Sequence, residues 1–504
     1  MQRLTPTPAE PVAVLRKAGV RAQERALQAL STPSLMALAG LSAARLALAL
    51  APHAQRIWVA AGPGNNSGDG LQAACHLHQW GLPVQVSLMG SPEQLPSDAR
   101  AAWQNALNAG VPIHSSLPHA WLQEMTDQDL CIDALLGIGS DRPPSDVMQD
   151  WIEQMNQCAA PILALDVPTG LDADSGQILG GSPTQRLVVH ADTTLTLLAA
   201  KPGLFMGHGR DVCGDIWLDT LSHAGPDNSL VPPADAWLNT AKPSRQKTHA
   251  SHKGSHGDVA IVGGEPMALH GMGMTGAAVL AAHAALHGGA GRVILSLLGD
   301  PAENSLAAPD LMQRPFHRLD LTQLTVVAGC GGGQAITAVL GDILRQSARL
   351  VLDADGLNAV AANPDWQALL RSRNEALGQK ATVITPHPLE AARLLGCTAQ
   401  DVQQNRLQAA QALSTQLQCT VILKGSGSVI ASPGERTHIN TSGNGRLAIG
   451  GTGDVLAGLT GSRLAQGQTA HEAACTAAWQ HGNAADHWPS DDALTASRLA
   501  ERLH

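Results

Sequence analysis

From Arg56 onward the chain alternates short apolar runs with Ala-rich helical patterns, and several of the runs break off into glycine-rich loops. That rhythm is the signature of β-α units building a parallel sheet, so the fold class is α/β. Expected strands are Arg56 to Ala61, Val84 to Leu88, Asp129 to Leu135, Ile162 to Asp166 and Thr193 to Leu198. Ahead of them, Pro11 to Ala51 reads as one or two amphipathic helices with Leu27, Leu30 and Leu35 among the buried positions. The rhythm lapses between Ser222 and Ala250, where Pro226, Pro232, Pro233 and Pro243 punctuate a polar stretch. It resumes with Asp258 to Val262, Arg292 to Leu297, Leu324 to Ala328, Leu350 to Asp353, Thr382 to Ile384 and Thr420 to Leu423. With 504 residues and roughly 100 to 200 per domain, two α/β domains are expected: 1–222 and 250–504, with a linker over 223–249. The halves share no obvious repeat, which points to fusion rather than duplication.

Composition narrows the partners. Aromatic residues make up 2% of the chain, with 10 Trp, 2 Phe and no Tyr, so the core rests on Ala, Leu, Val and Ile. Stacking platforms for single-stranded nucleic acid are therefore not expected. A net charge of −10 argues against any large polyanion as partner. The eight cysteines are far apart and form no C-x-x-C, which reads as buried thiols in a reducing compartment, without a disulfide framework. The Leu35 to Ala51 stretch is interrupted by Ser42 and Arg45, and the first eleven residues lack a signal-type apolar core. A cytoplasmic protein that neither enters a membrane nor binds nucleic acid is expected.

In the first half, Ile57 to Gly70 is a strand running through Gly62-Pro63-Gly64-Asn65-Asn66-Ser67-Gly68-Asp69-Gly70 into a helix expected near Leu71. Glycines let backbone approach a ligand, and a helix N-terminus favours an anion. It is not the dinucleotide G-x-G-x-x-G, because Ser67 stands at the third glycine. Alone, it could be a plain glycine turn. Two further loops, Ile132-Asp133-Ala134-Leu135-Leu136-Gly137-Ile138-Gly139 and Asp166-Val167-Pro168-Thr169-Gly170-Leu171-Asp172, put acids at strand ends. The carboxyl ends of an open parallel sheet share one crevice, so Asp69, Asp133 and Asp166 can converge there. Converging carboxylates call for a cation, and Asn66, Asp133 and Thr169 are oxygen donors suited to a hard one. Chance N-capping is the rival account for any one of them.

These three loops resemble the signature loops of the NAD(P)HX epimerase domain, across most of residues 1–220. The resemblance implies a Rossmann-like three-layer domain and a potassium ion held by Asn66, Asp133 and Thr169. It places Asn65, Asn66, Ser67, Gly68 and Asp69, the run Gly137, Ile138, Gly139, Ser140, Asp141, Arg142 and Pro143, and Asp166 around the hydrated nicotinamide. Asp166 would be the acid/base. Ser67 stands where the family often has glycine, and Thr169 where it often has serine.

In the second half, Ile449-Gly450-Gly451-Thr452-Gly453-Asp454-Val455 opens a helix with glycines and sets an acid in its first turn. Backbone N–H groups there can hold a phosphate while the acid takes a proton from a hydroxyl, an arrangement suited to phosphoryl transfer to an alcohol. An N-terminal Asp favoured by the helix dipole is the rival account. Lys424-Gly425-Ser426-Gly427-Ser428 follows a strand with amides, hydroxyls and a cation for a nucleotide's phosphates, or is an ordinary hairpin turn. Thr385-Pro386-His387 can face His387 to a substrate or use it structurally, and Gly329-Cys330-Gly331-Gly332-Gly333 permits close backbone approach or simply turns.

Together with His252-Lys253-Gly254-Ser255-His256-Gly257 and Asp353-Ala354-Asp355-Gly356-Leu357-Asn358, these motifs resemble the ADP/ATP-dependent NAD(P)HX dehydratase domain of the ribokinase-like superfamily, over about residues 230–504. The resemblance implies a ribokinase-like three-layer domain. Ala277, Gly331, His387 and Asp454 would meet the hydrated substrate, with Asp454 as catalytic base. Lys424, Gly425, Ser426, Gly427, Ser428 and Gly453 would meet the adenine nucleotide, with Mg2+ accompanying ADP as phosphoryl donor. Cys330 stands where proline is usual and Leu447 where methionine is. His249, His252 and His256, which could be taken for a metal site, fall at the linker and domain start.

The expected chemistry is repair of hydrated NADH and NADPH: epimerisation of the R and S hydrates, then ADP-dependent dehydration of the S form. A homo-oligomer is expected. Two rivals remain: a ribokinase-like kinase for a small vitamin precursor, and an N-terminal domain that only binds or dimerises, as in RNA-decapping enhancers.

Overall fold

The computed structural model describes residues 1–503 apart from 6–7, 29–30, 182–186, 222–231, 241–247, 272, 300–308 and 376–380. Leu30, Ser222, Pro226 and Pro243 lie outside the described residues. The chain divides into two compact units: Met1–Thr5 with Val12–Ala236, and Pro6–Pro11 with Trp237–His504.

The first unit holds an 8-stranded sheet in the order Gln2–Leu4, Asp215–Asp219, Thr193–Leu197, Ile162–Leu165, Leu130–Ala134, Ile57–Ala61, Val84–Leu88, Ile113–His114. Only the pairing of Gln2–Leu4 with Asp215–Asp219 is antiparallel. Every residue of Ile57–Ala61 is fully buried. Alternation splits that strand between two layers. Ile57, Val59 and Ala61 join the core under the helices Leu35–Leu50, Asn65–Gln79 and Ser97–Asn108, while Trp58 and Ala60 pack with Met148, Trp151, Ile152 and Met155 of helix Asp146–Gln157. Each large apolar side chain so buried stabilises the fold by about 1.5–3 kcal/mol.

Strand order reverses between Ile57–Ala61 and Leu130–Ala134, because the chain leaves Ile57–Ala61 for neighbours on one side and returns on the other. Such a switch point opens a crevice beyond the strands' carboxyl ends.

In the second unit the order is Met312–Gln313, Arg292–Leu297, Asp258–Gly263, Thr325–Ala328, Arg349–Leu352, Thr382–Ile384, Thr420–Leu423, Ser428–Ala431, His438–Asn440, Ala236–Leu238. All pairs are parallel except the two made by Ser428–Ala431. Val259, Ile261, Val327, Val351 and Val383 pack under helices Thr275–His287, Thr452–Ala465 and Ala470–Asp486. Their neighbours of opposite parity, including Ala260, Val326, Leu350 and Leu352, are equally buried, so both faces are covered. Order reverses again between Asp258–Gly263 and Thr325–Ala328.

Several expectations need correction. The helix expected near Leu71 begins at Asn65, since Gly64 ends the extended chain as its N-cap. Leu27 and Leu35 are only partly buried against the core. All eight cysteines are free, but Cys397 is exposed and Cys158 half-buried. Gln2–Leu4, Asp215–Asp219, Ile113–His114, Met312–Gln313, Ser428–Ala431 and His438–Asn440 are strands absent from the sequence reading. The stretch read as aperiodic contains one as well, Ala236–Leu238. These strands are short or carry polar residues, so they lack the continuous apolar run of a buried strand. No described helix is long and apolar enough to cross a membrane.

Candidate active sites at the strand ends

In the first unit the crevice opens into a cavity of about 760 Å³ lined by Asn65, Asn66, Asp69, Gly137 to Pro143 and Asp166. Ser67 and Gly68 do not line it. Ser67 is buried and its hydroxyl donates back to Gly64 O at 2.6 Å, while Gly68 packs against Met36.

Asp166 follows the strand Ile162–Leu165 with φ of +70°, a left-handed conformation that turns its carboxylate into the cavity mouth. Its Oδ1 is ion-paired with Lys201 Nζ, and its Oδ2 accepts from Ile138 N at 3.2 Å. Lys201 is fully buried and also donates to Leu197 O at 2.7 Å and Thr196 Oγ1 at 2.9 Å. Gly137 packs closely on the site: a Cβ there would sit 3.2 Å from Asp166 Oδ2 and 3.4 Å from Asn66 Oδ1. Burial, then the charges of Asp166 and Glu24, push the Asp69 carboxyl well above its ordinary range. Glu24 is raised by burial and by Asp166. Of the three acids expected to converge, Asp69 and Asp166 do, joined by Glu24.

Asp133 is directed elsewhere. It is fully buried; its Oδ2 accepts from Thr169 N at 2.8 Å, and its Oδ1 from Thr169 Oγ1 at 2.7 Å and Leu135 N at 3.1 Å. Burial lifts its carboxyl to about 6 against those hydrogen bonds. Thr169 Oγ1 in turn accepts from Leu136 N at 3.0 Å. Asn66, which lies against Gly137, donates through Nδ2 to Leu165 O at 3.3 Å, leaving its oxygen as the free end of the amide. The donor set offered by Asn66, Asp133 and Thr169 is oxygen alone, the chemistry a hard monovalent cation takes.

In the second unit, Cys330, Asp353, His387 and Lys424 follow one after another on neighbouring strand ends. Helix Thr452–Ala465 points its N-terminus at them. Gly451 caps it with φ of +91°, where a Cβ would lie 2.7 Å from Leu280 Cδ1, so glycine alone fits. Asp454 falls in the first turn, and ligand atoms of Cys330, Asp353 and Asp454 all lie within 4.8 Å of one another. Burial and then the neighbouring Asp353 raise the Asp454 carboxyl to about 6, with the Cys330 thiol and Lys424 opposing.

Lys424 Nζ donates to Asp353 Oδ1 at 2.7 Å and lies 4.0 Å from Glu390 Oε2. Burial works against its charge, yet Asp353 and Glu390 hold it above the ordinary lysine range. Glu390, lifted to about 7 mainly by burial, closes a capping box with His387. His387 Nδ1 accepts from Leu389 N at 3.1 Å, and its Nε2 lies 3.2 Å from Glu390 Oε1. The structural use of His387 is therefore present, and nearly half of its side chain remains exposed at the crevice. Gly453 faces Lys424, with its Cβ direction 3.4 Å from Nζ, and Gly331 packs on Ala277.

Lys424 to Gly427 form a hairpin turn between antiparallel strands, with Ser428 opening the second. Buried Arg406 ties the turn together, donating to Leu423 O and Lys424 O at 3.2 Å and to Gly427 O at 3.3 Å. Among the described residues, His249, His252 and His256 form no metal-spaced group; His252 caps the short turn Lys253–His256. Leu447 is partly buried against the core. Lys201, Glu24, Glu390 and Arg406 were missing from the sequence reading. Lys201 left a trace, a lysine just past an apolar strand, whereas the other three sit on helices with no local mark.

Residues 32–203 match the family model described as YjeF-related protein N-terminus, and residues 261–504 match the one described as NAD(P)H-hydrate dehydratase. The bifunctional NAD(P)H-hydrate repair enzyme Nnr of Escherichia coli is 36% identical, over 90% of this chain and 84% of that protein. Its Coxiella burnetii counterpart is 33% identical, over 91% and 90%. Among solved structures, the Bacillus subtilis ADP/ATP-dependent NAD(P)H-hydrate dehydratase co-crystallized with ATP/Mg2+ is 25% identical, covers 51% of this chain and 91% of its own, and has a TM-score of 0.43. A yeast crystal structure is 24% identical over 38% of this chain and 83% of its own, with a TM-score of 0.33. With both family models matched in one chain and relatives this similar over nearly their whole length, the chain belongs to the family of bifunctional NAD(P)H-hydrate repair enzymes.

Proposed function

We propose that this chain restores hydrated NADH and NADPH in two steps, with the first unit interconverting the R and S epimers and the second dehydrating the S epimer with ADP. The observation that carries the reading is Asp454, set at a glycine-opened helix start beside the Lys424–Asp353 pair and lifted to about 6.

Hydroxide is a poor leaving group, so the ring hydroxyl must first be phosphorylated. Asp454 takes the hydroxyl proton as the oxygen bonds to the β-phosphorus of ADP and the bond to AMP breaks. The ring carbon then loses phosphate, the adjacent carbon loses a proton, and the double bond returns. Amides at the start of helix Thr452–Ala465 and the cation of Lys424 face the charge that develops on the phosphoryl oxygens. The turn Lys424 to Ser428 and Gly453 hold the nucleotide; Ala277, Gly331 and His387 hold the hydrated ring. Magnesium would neutralise the nucleotide's phosphates when bound, and Asp353 Oδ2 is the hard donor facing Gly453.

In the first unit Asp166 is the acid/base at the carbon that inverts. Lys201 and the Ile138 amide fix its carboxylate, and Asp69, favoured in its protonated form, supplies a second proton position. Asn66, Asp133 and Thr169 would hold potassium, which would offset the acid cluster and the substrate's phosphates.

The test is a mixed-epimer hydrate incubated with ADP or ATP in potassium or in a bulky organic cation, following the return of reduced-nicotinamide absorbance. Complete recovery with ADP and potassium is expected. A stable phosphorylated product would point to a kinase, and a reaction halting with the R epimer unconsumed would remove epimerisation. Equal epimerisation rates in both cations would remove potassium.

A further inference from the structure

The second unit carries another chemically distinctive cluster, beside the strand that lies between Ser428–Ala431 and Ala236–Leu238. His471 and Cys475 are four residues apart on helix Ala470–Asp486, so they share one face of it. His438 opens the strand His438–Asn440 and pairs in register with Ile430, which in turn pairs with Ile422. His471 Nε2 lies 3.2 Å from His438 Nδ1 and 3.6 Å from Cys475 Sγ, and the three ligand atoms fall within 4.8 Å of one another.

Zinc binds imidazole nitrogen at about 2.0–2.1 Å and thiolate sulfur at about 2.3 Å, so neighbouring ligands of a tetrahedron stand about 3.3–3.6 Å apart. The two distances centred on His471 are already close to those of such a site. Its other ring nitrogen, Nδ1, is 2.8 Å from Ser432 Oγ, itself 2.8 Å from Thr420 Oγ1. That outer contact orients the ring and leaves Nε2 facing His438 and Cys475.

We propose that His438, His471 and Cys475 bind one zinc ion, with water as fourth ligand, and that the ion ties the strand His438–Asn440 to helix Ala470–Asp486. Binding converts the Cys475 thiol to thiolate and releases its proton, and it favours the folded state by mass action.

The experiment uses the full chain, stripped of metal by chelator and titrated with cobalt(II) and then zinc. A thiolate-to-cobalt charge-transfer band saturating at one equivalent, displaced by zinc, and a thermal midpoint that rises with zinc are expected. His471→Gln and Cys475→Ser should lose both responses while keeping the metal-free circular dichroism, and Cys330→Ala should retain them. The wild-type spectrum decides the matter even if a variant misfolds: absence of the band overturns the proposal. So does a band that survives Cys475→Ser but disappears in Cys330→Ala, since the ion would then sit with Asp353 and Asp454.

Discussion

The two crevices use the same parts in different pairings. Each lies at a switch point of a parallel sheet, with a helix N-terminus nearby and a lysine among several carboxylates. In the first unit the buried lysine grips Asp166 itself, and it is the neighbouring Asp69 that is driven toward its neutral form. In the second, Lys424 grips Asp353, and the neighbouring Asp454 has a carboxyl raised to about 6. In both units the carboxyl that burial raises is the neighbour of the acid the cation faces: Asp69 beside Asp166, and Asp454 beside Asp353.

The sharpest way to break this contrast is Asp454→Asn. Asn keeps the shape of the helix start but removes the proposed base, so dehydration should fall by about 10²- to 10⁴-fold while epimerisation is unchanged. Undiminished ADP-dependent recovery of reduced nicotinamide would sink the assignment. Next comes Lys201→Met, which leaves Asp166 beside Asp69 and Glu24 without its cation. Losing one partner of a buried pair costs about 3–5 kcal/mol, so the unfolding transition of the first unit should move to markedly lower urea. Dehydration of purified S epimer should not change; if it drops equally, Lys201 does not act within its own unit.

The pH dependence of that purified-S reaction gives a smaller, graded effect. With Asp454 as the proposed base the reaction needs it deprotonated, so the rate should fall about tenfold per pH unit below about 6 and level off above it. The same group has the opposite sign in stability. A carboxyl raised in the folded chain takes up its proton before the unfolded chain does, so it favours folding as pH falls from about 6 toward 3.8. Asp454→Asn should flatten that part of the stability curve, and a wild-type rate profile level down to pH 4 would contradict the raised carboxyl.

The parts of both sites that were legible in the sequence are local. Gly450 to Asp454 announce a helix start with an acid in its first turn, and Asp133 and Asp166 stand where apolar runs end, so chemistry and position are read together. The α/β layering was legible for the same reason, since central strands buried on both faces are continuous apolar runs. What stayed hidden is made by contacts distant in sequence. Lys201 reaches Asp166 across 35 positions and Arg406 reaches Gly427 across 21, with no periodicity joining them. His471 and Cys475 have helical spacing, but His438 joins them only once the strand His438–Asn440, itself unread, is placed. The left-handed backbone of Asp166 likewise has no glycine or asparagine to signal it.

The mildest test concerns Ser67, which interrupts the glycine-rich loop. The resemblance to the epimerase domain puts it among the substrate-binding residues, together with its neighbours Asn66 and Asp69. Its hydroxyl, however, donates to Gly64 O at 2.6 Å within the first turn of helix Asn65–Gln79, and the residue is fully buried away from the cavity lining. Ser67→Ala removes one such hydrogen bond, worth about 0.5–1.5 kcal/mol, and gains slightly in helix propensity. The unfolding midpoint of the first unit should therefore shift little, and the epimerisation rate and its substrate dependence should stay within about twofold of wild type. Asn66→Ala is the matched contrast, because its side chain lines the cavity and abuts Gly137 beside Asp166. If Ser67→Ala slowed epimerisation as much as Asn66→Ala, the hydroxyl would have to turn toward the substrate, and the helix start at Asn65 would have to open for it to do so.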